Sequence, residues 1–564
     1  MLKFIAGAFF VLAFMLPNHY FPWGSFYNDF AMALSLLCLM IAALWPLQRR
    51  PLTLPLVAGV LVLVASIPLL QAITGLLYFN SDGWVAAFYL VGLALAYSAA
   101  YLLAQKTSPQ QVALLLAWGF LVSAVLSVGV SLHQWLLLDG SIWLVDLQPG
   151  WWFPYGNLGQ RTNLATLIVA AWASLAYLHH QEKLGVTGSI VTALFLLFGA
   201  ALMQSRTVIA MLPFILLWWA WRGREDRTSL RFTVLAALLL SFVVFYGLIP
   251  GWTNAFYIDI GEFPMDTQLG VRSVFWSSLL HAVSERPWFG YGWNEVAVAQ
   301  VSVAELYQGS GFTEHSHNLL IDLLVWNGFP LGILLIAALG YWGLSRTARC
   351  NSAESWFALA VIGCVMIHSL LEFPLDYAYF LIPAGLLAGL VDAQYPHKYR
   401  FRCPAWVLAV VTVAGAIFLV VLFKENGELE DDHREMRFAS AGIVGASPGA
   451  SLTSVVVLDG PREFIRYALT EAKPEMTEEE IEWMRKVAYR NAYPPALFRY
   501  VLALAFNNKH DEACVVLQKL RSFDYEKTRY PEAVQNLKLM EGSYPQLVGM
   551  CSPINVPLDQ HIDQ

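Results

Sequence analysis

Long apolar blocks separated by short polar connectors make up most of this chain. A helix needs about 20 apolar residues to cross a bilayer core. Blocks of that order lie near residues 3–16, 28–46, 53–75, 84–104, 111–137, 163–179, 187–203, 207–221, 232–250, 318–345, 354–371, 376–394 and 405–423. The pattern predicts about thirteen transmembrane helices. The first and eighth blocks are short, as tilted or partly protein-buried spans would be. The connectors alternate in charge. One set holds Arg49, Arg50, Lys106, Lys183, Arg222, Arg224, Arg227, Arg231, Arg346, Arg349, Lys398, Arg400 and Arg402, whereas the other holds only Arg161, Arg206, Arg272 and Arg286. The positive-inside rule makes the first set cytoplasmic. Lys3 then places the amino terminus inside, and an odd number of spans places everything from Lys424 outside. Lys3 and the apolar run to Leu16 look like a secretory signal, but Pro17-Asn18-His19-Tyr20 follows where small cleavage-site residues belong. The segment reads as an uncleaved first span.

Composition agrees with lipid as the main solvent. Hydrophobic residues make up 57% and charged residues 13% of 564, against about 45–50% and 25% in soluble domains. The formal charge of -7 argues against nucleic acid as a partner, since clustered cations are needed there. Composition changes near Lys424: 16 of the 34 Lys+Arg lie from that residue onward. Two units are expected, a membrane body over 1–423 with a large outer loop at 251–317, and a soluble helical domain over 424–564. In that tail, Thr477 caps an amphipathic helix that begins Glu478-Glu479-Glu480. Pro495 to Phe506, a turn at Asn507-Asn508, and Asp511 to Leu520 read as a helical hairpin of the tetratricopeptide kind. Cys514 and Cys551 both fall in the tail; they could form a disulfide in an oxidising compartment, or remain two buried thiols. The acidic run Glu428, Glu430, Asp431, Asp432 and His433 reads as a solvated stretch rather than a calcium site.

The four outer arginines depart from the charge bias and so need a reason. Capping of helix carbonyls or reach toward headgroups accounts for Arg286. Arg272 opens an ordered series: Arg272-Ser-Val-Phe-Trp276, Pro287-Trp-Phe-Gly290-Tyr-Gly292, Glu314-His315-Ser316-His317-Asn318, then Asn327-Gly328 and Gly332. This series resembles the outer loop shared by bacterial O-antigen ligases, O-antigen polymerases and protein O-oligosaccharyltransferases of the PglL type. In these, Arg-x-x-x-Trp precedes Pro-x-x-Gly-x-Gly and a His-Asn pair opens the next span. Pro17 to Trp23, Gly156 to Gln160 with Asn163 to Thr166, Gln204-Ser205-Arg206-Thr207 and His368 to Phe380 resemble the protein-glycosylating branch. Two positions depart from the pattern. Arg161-Thr162 stands where relatives often carry Pro-Asn or Arg-Asn, and Trp326 replaces an acidic residue before Asn327-Gly328.

The resemblance implies an all-α polytopic, GT-C-like glycosyltransferase of the bacterial inner membrane with a periplasmic active face. It would transfer a preassembled glycan from undecaprenyl pyrophosphate to serine or threonine of an exported protein such as a pilin. Arginine suits such a donor, because its planar fork grips phosphate oxygens and stays charged. Arg206 and Arg272 are the expected diphosphate clamp, and His317 the base for the acceptor hydroxyl, with His315 as runner-up. Asn318 is expected to orient the ring. Gln160 and Arg161 at the end of the Gly156 turn, and Tyr291 and Trp293 as sugar-stacking aromatics, complete the candidate substrate contacts. Other outer aromatics, among them Trp143, Trp151 and Trp152, read as an interfacial belt. His368 and Glu372, four residues apart on one helix face, are expected to form a buried hydrogen-bonded pair or to contact substrate. No metal or other cofactor is expected, and direct attack would invert the anomeric centre. An O-antigen ligase acting on lipid A-core and a flippase for lipid-linked sugars are the rival readings.

Overall fold

The computed structural model describes residues 1–47, 51–138, 145, 153–222, 232–256, 258, 269–308, 311–443, 445, 449, 452–524 and 527–551. Arg49, Arg50, Arg224, Arg227, Arg231, Trp143, Trp151 and Trp152 lie outside these residues. Helices dominate: α1 (Leu2–Ala13), α2 (Phe26–Leu44), α3 (Leu56–Ile73), α4 (Asn80–Lys106), α5 (Pro109–Trp135), α6 (Arg161–His180), α7 (Val186–Leu202), α8 (Arg206–Arg222), α9 (Phe232–Ala255), α10 (Leu269–Glu285) and α11 (Val296–Ser302) come first. After them follow α12 (Leu319–Ala348), α13 (Ala353–Ser369), α14 (Ala378–Asp392) and α15 (Ala405–Ser440). The tail adds α16 (Asp459–Leu469), α17 (Glu478–Arg490), α18 (Pro494–Phe506), α19 (His510–Phe523) and α20 (Arg529–Met540).

A helix lies at every apolar block. Among the described residues, α2, α3, α4, α5, α6, α9, α12 and α15 are long and apolar enough to cross a membrane. Helices α1, α7, α8, α13 and α14 are apolar but shorter. The chain is a multi-pass membrane protein. Its packing fits that solvent: α6 is mostly buried among α5, α7, α8 and α13, whereas α15 exposes Trp406, Val410, Val413, Ile417 and Val420. That exposed apolar stripe has helical spacing and needs lipid against it.

The ends of the bundle differ in chemistry. At one end Lys106 donates to the carbonyls of Ala42 and Trp45, Arg346 pairs with Asp392, and Tyr97 donates to the same carboxylate at 2.6 Å. This end holds the basic connectors. It also carries a two-stranded antiparallel sheet, β1 (Leu52–Pro55) with β2 (Arg400–Cys403), which the apolar pattern did not foretell. The opposite end holds the turns at 156–160, 204–205, 286–318 and 370–377, and the tail packs there on residues of the 286–318 stretch and on the start of α4.

The composition change at Lys424 falls inside α15, which continues without a break to Ser440. The acidic run is therefore helical, with Glu430 bonded to Tyr27 and Asn426. The outer loop also contains two helices of its own, α10 and α11. Thr477 closes the expected capping box on α17, α18 and α19 form the expected hairpin, and Cys514 and Cys551 are joined in a disulfide.

Candidate active site

Gly328 breaks α12 with φ 71° and ψ 178°, and the Pro287–Gly292 loop locks into the break. Phe329 N donates to Pro287 O and Tyr291 N to Val325 O, both at 2.8 Å. A Cβ at Gly290 would stand 2.3 Å from Val325 O, and one at Gly328 would stand 2.6 Å from Pro287 O. Both glycines also have positive φ, so only glycine lets these backbones touch without strain. This interlock holds α10 against the first turns of α12. Along α10, Arg272 and Trp276 are four residues apart and face the same way. Trp276 Nε1 donates to Ser316 O at 2.8 Å, gripping the backbone between the two loop histidines.

Arg272 and His317 meet on one carboxylate. Arg272 Nη2 donates to Glu372 Oε1 at 3.0 Å and Nη1 to Leu371 O at 3.1 Å. His317 Nδ1 lies 2.7 Å from Glu372 Oε2. Burial pushes the Glu372 carboxyl up, but His317 and Arg272 beside it outweigh that and hold it below the usual carboxylate range. The Glu372 carboxylate accepts a hydrogen bond from Nδ1–H, the tautomer that leaves Nε2 with a lone pair. Thr313 Oγ1 lies 3.4 Å from Nε2 but spends its one proton on His315 O at 2.8 Å. Nε2 therefore remains available as a base. His317 itself has φ 55°, an uncommon conformation for a side-chain-bearing residue. The pair is reachable: the Arg272 and His317 side chains keep 29% and 27% of their exposure.

His315 forms a second pair alongside. Its Nδ1 lies 3.1 Å from Asp376 Oδ2, and its ring stacks on Phe373 at 4.4 Å. Burial pushes Asp376 up to about 7 and His315 down. Phe373 separates the two pairs, packing on His317 at 5.3 Å as well. Arg161 and Arg206 open α6 and α8. Arg161 lies within electrostatic reach of Arg206 and Glu372, and its guanidinium covers the Phe153 ring at 4.9 Å. Two arginines at helix N-termini thus stand near one another, with Arg161 also near the Glu372 carboxylate, an arrangement suited to an anion.

Several expected roles change. The Asn318 side chain accepts from Leu320 N at 3.0 Å and caps α12; it is Glu372 that orients the His317 ring. Tyr291 and Trp293 are buried. Tyr291 bonds Ser302 at 2.7 Å and carries Arg286 on its face, whereas Trp293 stacks on Trp326 at 4.7 Å. Neither ring is free to hold a sugar, and the Trp326 departure has its explanation in that stack. His368 and Glu372 do not bond through their side chains. Helix α13 ends at Ser369, His368 Nδ1 turns to Thr166 Oγ1 at 2.8 Å, and Glu372 swings into the following turn. Gln160 precedes α6 half-buried without capping it. Asp376, Thr313 and Phe373 were not singled out from sequence; the four-residue step from Glu372 to Asp376, facing the two-residue step from His315 to His317, was the available signal. Among the described residues, no group of three or more His, Cys, Asp or Glu side chains is arranged to hold a metal ion.

Residues 191–336 match the O-antigen ligase family, and residues 356–538 match the C-terminal region of virulence factor membrane-bound polymerases. A general O-oligosaccharyltransferase of Acinetobacter baylyi is 28% identical over 540 residues, 91% of each chain. A ComP-specific O-oligosaccharyltransferase of the same organism is 26% identical over 397 residues, 69% of this chain and 71% of its own. Over these stretches the chain is similar to the O-antigen ligase family and to the O-oligosaccharyltransferases. It is a glycosyltransferase, and its two matched stretches each supply part of the site. Arg206, Arg272, His315 and His317 come from the ligase-like stretch, and Glu372 and Asp376 from the second.

Proposed function

We propose that this glycosyltransferase moves a preassembled glycan from undecaprenyl pyrophosphate to a serine or threonine hydroxyl of an exported protein. The observation that carries the reading is the chain Arg272–Glu372–His317, with Arg161 near Glu372 and Arg206 near Arg161. His317 Nε2 accepts the hydroxyl proton while the acceptor oxygen attacks the anomeric carbon. The bond from that carbon to the phosphate oxygen breaks, its electron pair leaves with the diphosphate, and the configuration inverts. Arg206 and Arg161, with Arg272 beside them, stabilise the charge gathering on the leaving group. Glu372 fixes the ring and stabilises the imidazolium that forms. The matching relatives support a protein acceptor. The alternation of basic connectors supports thirteen crossings, a cytoplasmic amino terminus, and a site and tail in the periplasm.

Purified protein supplied with lipid-linked glycan and either a pilin-like protein or lipid A-core tests this. The expected result is transfer to the protein with inversion, unchanged by chelator. His317→Ala should lower turnover by about 10² or more, as loss of a general base does, and Arg206→Ala and Arg272→Ala should cause comparable losses. Transfer to lipid A-core alone would make the protein a ligase, and lipid movement across vesicles without transfer would make it a flippase.

A further inference from the structure

The segment 311–318 carrying both histidines is held almost wholly by side chains, and its partners alternate. Thr313, His315 and His317 turn toward the membrane body, as described above. Phe312 and Glu314 turn the other way, onto the tail. The Phe312 ring packs on Tyr493 at 4.5 Å and near Phe523 at 6.3 Å, and Tyr493 Oη donates to Glu314 Oε1 at 2.9 Å. Gln300 holds the start of the segment, with Nε2 donating to Gly311 O at 2.5 Å.

Tyr493 stands at the corner between α17 and α18, and that corner is anchored to the body. Three residues earlier, Arg490 reaches Asp82 at 2.8 and 3.1 Å and lies 3.9 Å from Glu295, whose other oxygen accepts from Tyr78 N at 2.8 Å. Asp459 accepts from Asn80 N and Ser81 N at the start of α4, while Ser81 Oγ accepts from Gly460 N. Lys519 donates to Val301 O at 2.8 Å. Phe79, Val301 and Ala304 of the body are buried in the core of the tail. The tail therefore has a fixed position against the start of α4, and Tyr493 transmits it to the histidine segment.

We propose that Tyr493 is a positioning residue for glycan transfer: through Glu314 and Phe312 the tail sets where the His317 ring stands against Glu372. The inference rests on the transfer reaction proposed above. It predicts that the tail acts on the chemical step, because a base displaced by a fraction of an ångström loses rate without losing substrate.

Steady-state kinetics on the full-length protein, with lipid-linked glycan and acceptor protein, test it. Tyr493→Phe keeps the ring on Phe312 and removes only the hydroxyl; Glu314→Ala removes the acceptor of that hydroxyl. Each should lower kcat by about fivefold to tenfold with the acceptor KM within about twofold. The double variant should be no worse than either single one, since both remove the same link. An unaltered kcat in Tyr493→Phe overturns the inference, as does a rise in acceptor KM alone, which would make the tail a docking surface, or a multiplicative double variant. If wild-type protein transfers nothing, the transfer reading itself fails. If His317→Ala loses activity while Tyr493→Phe does not, only the positioning role fails.

Discussion

Glu372 accepts a donor on each oxygen, Arg272 on one and His317 on the other, and remains ionised because of them. Removing its charge should disturb both neighbours together. Glu372→Gln is expected to lower kcat by about 10², with little further loss when His317→Ala is added. The pH dependence of stability has a definite sign. A carboxyl held below its ordinary value contributes stability above that value and loses it as pH falls through the lowered one. The gap in thermal midpoint between wild type and Glu372→Gln should therefore be constant from about pH 6 to 8 and close below about pH 4. A gap that instead widened in acid would contradict the assignment. The spacing of His368 and Glu372 was legible, but not its meaning. Four residues apart implies one helix face only while the helix lasts, and here the chain leaves α13 at Ser369. Pro374, which disfavours helix in the residue before it, was the local sign that Glu372 would stand in a turn.

Among the elements, the glycine-bearing loop and the broken α12 form one joint. Gly290→Ala and Gly328→Ala should each destabilise the protein by about 2 kcal/mol or more, from backbone overlap and left-handed strain, and lower activity by shifting α10. Gly340→Ala, further along α12 with nothing within 4 Å of its Cβ, should be neutral or stabilising by about 0.5–1 kcal/mol. Thermal midpoints of the three variants in detergent check this contrast. The helices of the body were readable because each apolar block is its own signal, and Thr477 announced its cap for the same local reason. The pairing of β1 with β2 was not, since its two halves lie far apart in the chain and neither carries a turn that would bring them together. Tyr291 and Trp293 looked like exposed sugar platforms because glycine flanks them. The glycine is there for close backbone approach, which buries the rings beside it.

Across the whole molecule, the tail is tied to the body by buried charge, by mutual helix capping and by a shared core. Its own last segments are held by the disulfide between Cys514 and Cys551, 37 residues apart. A loop of that length gives about 3–4 kcal/mol in the chain-entropy estimate, so Cys514→Ser should lower the stability of the tail by about that order. Thiol alkylation of native membranes should leave both cysteines unmodified until a reductant is added. Immediate labelling would place the tail in a reducing compartment, against the topology proposed.

Helix α15 gives this attachment a strict metric. It passes from the bilayer into the tail as 36 uninterrupted residues, about 54 Å of rod, with no swivel between. Each residue added or removed near Lys424 would turn everything beyond it by about 100° and shift it by about 1.5 Å, carrying Asp459 away from the start of α4. Evolutionary or engineered changes in the length of this rod are consequently quantised, tolerated near whole turns and disruptive between them.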